Sequence, residues 1–159
     1  MNHKSPITMK ILFVCTGNAS RSAAAEVVLK KMLADAGITG VEVGSCGTKV
    51  PEGLDREETM CRIAAEHGYL MGGKAVPMTR ELLNAADLII VMTALHRDQV
   101  TRLLDYDHWD RIALFNDYCF GEKTDIRDPH FQTEHVYRTC FDAIERGCRT
   151  IATRLGCFK

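Results

Sequence analysis

The sequence has no apolar run long enough to cross a bilayer. Its longest, Ile11-Leu12-Phe13-Val14 and Leu88-Ile89-Ile90-Val91-Met92, stop far short of the roughly 20 residues a spanning helix needs. It also lacks an excess of either charge. Its 20 basic and 21 acidic residues give a formal net charge of -1 and are interspersed, so no global field recruits DNA, RNA or an anionic membrane, and any anion specificity has to be local. Nucleic acid and membrane are not expected partners. There is no Cys-x-x-Cys pair and no His-Cys cluster of structural zinc spacing, which leaves a metal site without support. No secretory leader is expected, and the 7 cysteines (15, 46, 61, 119, 140, 148, 157) are an odd number, several of them inside hydrophobic runs. They read as reduced thiols of a cytoplasmic protein, not as a disulfide framework. No internal repeat, low-complexity tract or linker divides the chain.

What is present suits one domain: 159 residues, 46% of them hydrophobic, are enough for a real core. Residues 1–8 (MNHKSPIT) are polar and precede Met9, which leads a hydrophobic strand. They are expected to be a disordered extension or an added remnant, leaving 9–159 as the domain. From there strands and helices alternate. A strand at 10–14 and an Ala-, Glu-, Leu- and Lys-rich helix at 22–36 come first, followed by a strand at 41–45. Asp55 with Glu58 resembles a capping box for a helix reaching His67. A short helix follows Thr79, the run 88–92 reads as a strand buried on both faces, and a helix spans 94–104. The spacing predicts a fourth strand at 111–114, a polar stretch from 116 to 129, and a last helix at 133–155 with Val136, Cys140, Ile144, Ile151 and Leu155 inward. The order predicts an α/β fold with a four-stranded parallel sheet and helices on both faces.

The segment Cys15-Thr16-Gly17-Asn18-Ala19-Ser20-Arg21-Ser22 leaves the first strand and enters a helix. At the carboxyl end of a parallel strand, free backbone N–H groups and the positive helix end converge, which makes phosphate the natural guest. Five residues between Cys15 and Arg21 let the backbone curl into a nest around one oxyanion. Gly17 is expected to take a strained dihedral and Asn18 a left-handed one. The loop amides, the helix end and Arg21 all favour thiolate at Cys15, and Ser22 is placed to donate to its sulfur. Arg21 offers a planar fork to two phosphate oxygens, which suits transition-state stabilisation.

These residues resemble the low-molecular-weight protein tyrosine phosphatase family, whose Cys-x5-Arg-Ser loop lies near the amino terminus. The resemblance extends through Glu26, Ser45, Gly47-Thr48, Ala86-Asp87-Leu88 and Asp125-Ile126-Arg127-Asp128-Pro129. It implies two-step phosphoryl transfer with no metal or organic cofactor: Cys15 as nucleophile, a phosphocysteine intermediate, and Asp128 as general acid and then base. Proline after Asp128 restricts its backbone and aims the carboxyl. Read locally, Asp128 is equally an ordinary loop or capping aspartate, and Asp125 is its nearest competitor. The ligands implied are a phosphorylated protein and inorganic phosphate or other oxyanions.

The loop departs from the family pattern in two places. Ser20 stands where members often carry a second cysteine, so that redox pair is absent, and Ala19 replaces a bulky aliphatic residue. After Asp-Pro, His130 and Phe131 replace two tyrosines. They are candidates for a substrate wall, with a solvated histidine and a helix anchor as the alternatives. The segment from Pro77 to His96 is closer to the protein arginine phosphatase branch, although that branch has threonine at position 19. Thr93 and His96 read as a helix cap and a surface residue. An arsenate reductase would need two relay cysteines mid-chain, where none occurs between Cys61 and Cys119, and a module that only binds phosphate would need neither thiolate nor acid.

Overall fold

The computed structural model describes residues 8–158. The expectation for residues 1–8 therefore lies outside the described residues except at Thr8, whose N–H donates to the Gly40 carbonyl at 2.8 Å. Strand β1 (Met9–Cys15) leads into helix α1 (Arg21–Asp35) and strand β2 (Val41–Gly47). Helices α2 (Glu58–Glu66) and α3 (Arg80–Ala85), strand β3 (Leu88–Val91) and helix α4 (Ala94–Thr101) follow. A 3-10 turn (Tyr106–Arg111), strand β4 (Ile112–Leu114), and helices α5 (Phe115–Phe120) and α6 (Glu134–Arg154) complete the order.

The four strands are all parallel, in the order β2-β1-β3-β4. Strand alternation splits β1 between two cores: Ile11, Phe13 and Cys15 join side chains of α1, α2, α5 and α6 on one face, while Leu12 and Val14 meet Leu83, Val100 and Leu104 on the other. Both faces are covered, so β1 and β3 read as continuous apolar runs and not as alternating ones. The chain goes from β1 outward to β2, then returns past β1 to β3. That reversal opens a crevice at the carboxyl ends of β1 and β3, where such sheets bind ligands. Cys15 is the last residue of β1 and lies at its rim.

Helix α6 buries Tyr137, Cys140, Phe141, Ile144, Cys148 and Ile151 at three- and four-residue spacing, and packs on α1. Each large side chain so buried contributes about 1.5–3 kcal/mol. Val136 and Leu155, expected inward, are only half-buried, because the stripe turns onto Tyr137 and Ala152 instead. Gly147 lets the Phe115 ring rest against the helix backbone, in space that a Cβ would occupy.

Three local expectations need correction. Helix α2 is capped by Glu57, whose side chain accepts from Met60 N at 3.1 Å, whereas Asp55 pairs with Lys74 Nζ at 2.5 Å. Helix α4 stops at Thr101, short of Leu104, and the 3-10 turn after it was not anticipated. The stretch read as polar from 116 begins with α5, which buries Phe115 and Cys119 and ends at Gly121 in the left-handed region, φ 69°.

Candidate active site

The loop between β1 and α1 is held from below by a closed set of hydrogen bonds centred on Asn18. This residue is fully buried with φ 54°. Its Oδ1 accepts from Val76 N and Arg56 Nη2, both at 2.8 Å, which fixes the orientation of the amide. Its Nδ2 then donates to Ser22 Oγ at 2.8 Å and Ser45 Oγ at 2.9 Å. All four of its polar sites are used, which offsets the cost of a left-handed conformation at a non-glycine residue. Ser45 in turn donates to Glu26 Oε1 at 2.5 Å, so β2 and α1 are tied to the loop through one chain of bonds.

Gly17, expected at a strained dihedral, is not among the residues of positive φ. A Cβ there would meet only Leu54 Cδ2 at 3.8 Å, so the left-handed turn rests on Asn18 alone. The glycine that the loop needs is Gly47 on β2, where a Cβ would lie 2.5 Å from Thr16 O and 2.8 Å from Asn18 N. Beyond it, Thr48 N and Lys49 N donate to the carbonyls of Cys15 and Thr16, each at 2.9 Å. Those bonds satisfy both carbonyls and tie the loop to the chain after β2.

Cys15 is buried, with its Sγ 2.8 Å from Ser22 Oγ. Because Ser22 already accepts from Asn18, its proton is free for the sulfur, the alternative being Cys46 O at 3.3 Å. Arg21 opens α1 and is 4% exposed. Its Nη1 donates to Ile126 O at 2.9 Å, and its Nη2 lies 3.6 Å from Asp128 Oδ2 and 3.5 Å from Thr16 Oγ1. One guanidinium thus joins the first loop to the loop before α6. Asp128 is half exposed and accepts from His130 N at 3.0 Å, a local turn of the Asp-Pro segment. Asp125 instead accepts from Ala94 N at 2.9 Å, at the amino end of α4.

Cys15, Arg21 and Asp128 line one cavity of about 310 Å³. Thr16, Gly17, Ala19 and Ser20 contribute to it from the loop. Pro51, Leu54 and Glu57 supply a wall that the sequence reading missed, and His130 is on the cavity as well. Phe131 is not: it is 91% exposed with φ 60°, its ring 3.8 Å from that of His130, and it neither lines the cavity nor anchors α6. A larger groove, about 540 Å³, lies between α5, the loop at 122–127 and α6, and contains neither Cys15 nor Arg21.

His96 was expected on the surface and is 1% exposed. Thr93 does cap α4, accepting from His96 N at 3.2 Å, but the His96 ring turns inward and brings Nε2 to 2.8 Å from Thr16 Oγ1. Burial, and then the Arg21 charge, push its pKa down from 6.5 to about 4, so the ring is neutral at pH 7. The other thiols around the site behave differently from a nucleophile. Cys46 packs on the opposite face of the sheet, and burial pushes both it and Cys140 up to about 12. With Ser20 at the position beside Arg21, neither supplies a ready thiolate.

Three comparisons bear on this geometry. The family model described as low molecular weight phosphotyrosine protein phosphatase matches residues 10–157. A protein-arginine-phosphatase of Bacillus subtilis is 29% identical over 148 residues, covering 92% of this chain and 97% of the relative. The low molecular weight protein-tyrosine-phosphatase Etp of Escherichia coli is 32% identical over 146 residues, 91% of this chain and 93% of the relative. Among solved structures, a protein tyrosine phosphatase from Entamoeba histolytica with Hepes in its active site superposes with a TM-score of 0.86 at 26% identity, covering 93% of this chain and 97% of that one.

Proposed function

This chain belongs to the low molecular weight phosphotyrosine protein phosphatase family and is an enzyme of that family, and on that premise we propose that it hydrolyses phosphotyrosine in phosphorylated proteins through a phosphocysteine at Cys15. The observation that carries the reading is the convergence on one cavity of Cys15 and Arg21 from the first loop with Asp128 from far along the chain, Arg21 Nη2 lying 3.6 Å from Asp128 Oδ2.

In the first step the Cys15 sulfur attacks phosphorus, the bond to the ester oxygen breaks, and Asp128 gives its proton to the leaving oxygen. In the second, Asp128 takes a proton from water as that water attacks phosphorus, the sulfur–phosphorus bond breaks, and inorganic phosphate leaves. Arg21 holds two equatorial oxygens, and the loop amides at the amino end of α1 hold the charge that develops there. Ser22 stabilises the sulfur both as attacking and as leaving group. Asp128 takes the acid's part because it faces the cavity, while Asp125 is committed to Ala94 N. Inorganic phosphate and other tetrahedral oxyanions occupy the same loop as inhibitors. Among the described residues no helix is long and apolar enough to cross a membrane; the seven free cysteines support a reducing compartment, the cytoplasm.

Pro51, Leu54 and Ala19 give the cavity an apolar wall for an aromatic ring. A second reading, phosphoarginine, is favoured by three carboxylates lining the cavity, Asp55, Glu57 and Asp128, which suit a guanidinium leaving group. Specificity constants for phosphotyrosine and phosphoarginine peptides, measured side by side with arsenate reduction as a control, decide between them. The proposal expects phosphotyrosine to dominate and arsenate reduction to be absent. A dominant phosphoarginine rate overturns the substrate assignment.

A further inference from the structure

The hydrogen bonds of the Thr16 hydroxyl can be completed from its neighbours. A threonine hydroxyl has one proton to give and two lone pairs to fill. Arg21 Nη2, 3.5 Å away, can only donate and takes one lone pair. His96 Nε2 lies 2.8 Å from the same oxygen, and the direction of that bond depends on the tautomer. The ring is 1% exposed and its Nδ1 has no partner among the described residues. A proton on Nδ1 would leave a buried N–H without an acceptor. A proton on Nε2 leaves only an unused acceptor, the less costly arrangement. Protonation at both nitrogens is opposed by burial and by Arg21, with Asp125 and Asp128 the charges acting the other way.

Nε2–H therefore donates to Thr16, and both lone pairs of Oγ1 are filled. The Thr16 proton is left uncommitted on a residue that lines the cavity beside Cys15, Arg21 and Asp128. We propose that the Thr16 side-chain hydroxyl donates a hydrogen bond to the phosphoryl group of the bound substrate, and that His96 is the positioning residue that aims it. The assignment rests on the phosphatase reading above and adds a side-chain donor to the backbone nest of the loop. His96 touches no substrate atom; it acts by keeping Thr16 from turning its proton away.

Nitrogen NMR of the histidine rings at pH 7 tests the direction of the bond without any mutation. The expected His96 signal is that of Nε2–H with bare Nδ1, and the opposite tautomer overturns the proposal. Kinetics and calorimetric binding of inorganic phosphate test the contact itself. Thr16→Val is expected to lower kcat/KM and phosphate affinity by about 10- to 100-fold, the loss of one charge-assisted hydrogen bond. Thr16→Ser, which keeps the hydroxyl, should stay within about threefold of wild type. His96→Leu alone should cost about 10-fold, but less than about threefold more in the Thr16→Val background, because both act through one hydroxyl. Multiplying effects, or unchanged phosphate binding in Thr16→Val, overturn the proposal. Phosphate binding does not require turnover. A wild type that binds phosphate in this Thr16-dependent way but hydrolyses no ester therefore upholds the hydroxyl's role and contradicts the functional reading.

Discussion

Replacing Gly47 by alanine should disable the active site while leaving the sheet assembled. A Cβ at this position would lie 2.5 Å from Thr16 O, 2.7 Å from Val50 Cγ2 and 2.8 Å from Asn18 N. Two of these are backbone atoms of the phosphate-binding loop, which no rotamer change can move aside. Restoring even a tight 3.4 Å separation displaces Thr16 O by about 0.9 Å and Asn18 N by about 0.6 Å. Misplacing a reacting constellation by about 1 Å costs on the order of 100-fold in rate, and overpacking of this kind costs about 1–3 kcal/mol in stability. The matched control is Gly44→Ala in the same strand, where a Cβ meets only Leu12 Cδ1 at an ordinary 3.6 Å. Steady-state hydrolysis of a phenyl phosphate and thermal melting of both variants provide the assay. The expected result is a folded Gly47→Ala protein with kcat/KM down roughly 100-fold beside a Gly44→Ala protein close to wild type. Equal activity in the two would refute the claim that β2 sets the loop's shape by close approach.

Further expectations follow from the same geometry. Asp128→Asn should lower kcat by about 100- to 1,000-fold for esters with poor leaving groups and far less for activated ones, while Asp125→Asn should mainly loosen the start of α4; a small, leaving-group-independent loss in Asp128→Asn would remove it as the acid. His96 has a folded pKa of about 4 against 6.5 unfolded, so the unfolded chain binds the extra proton first as pH falls. Stability is then lost between pH 6.5 and 4, by roughly 3 kcal/mol at most. The fall in melting temperature across that window should be shallower in His96→Gln, and identical slopes would contradict a buried neutral ring. Gly147→Ala should destabilise the protein by about 1–3 kcal/mol, because its methyl collides with the fully buried Phe115 ring; an unchanged denaturation midpoint would show that α5 yields freely.

The parts legible in sequence were those set by short-range pattern. Continuous apolar runs marked β1 and β3, Thr79 and Thr93 marked the starts of α3 and α4, and the spacing of Cys15 and Arg21 marked the loop. Features that depend on which segments meet in space were misread. Helix α5 hid in a polar stretch because only Phe115, Asn116 and Cys119 face inward over its short length. His96 looked like a surface residue because only its backbone takes part in the Thr93 cap, and its ring is buried by a partner 80 positions away. Asn18 is left-handed as expected, but Gly17 is not strained, since bonds from Arg56 and Val76 fix the asparagine and leave the turn to it. Phe131 follows Asp-Pro as a wall residue would, yet its left-handed backbone carries the ring away from the cavity. Pro51, Leu54 and Glu57 line the cavity from a loop that no local motif connects to Cys15.

The most direct test of the account asks whether phosphorus is carried by Cys15. Rapid-quench mass spectrometry during turnover should find a phosphoryl group on the peptide containing Cys15, and with an activated aryl phosphate, whose leaving group needs no acid, it should accumulate in Asp128→Asn, where the second step lacks its base. Cys15→Ser should lose all but about a per cent of the hydrolysis while still binding phosphate. A phosphoryl group on another residue, or substantial turnover without the Cys15 thiol, would contradict the mechanism.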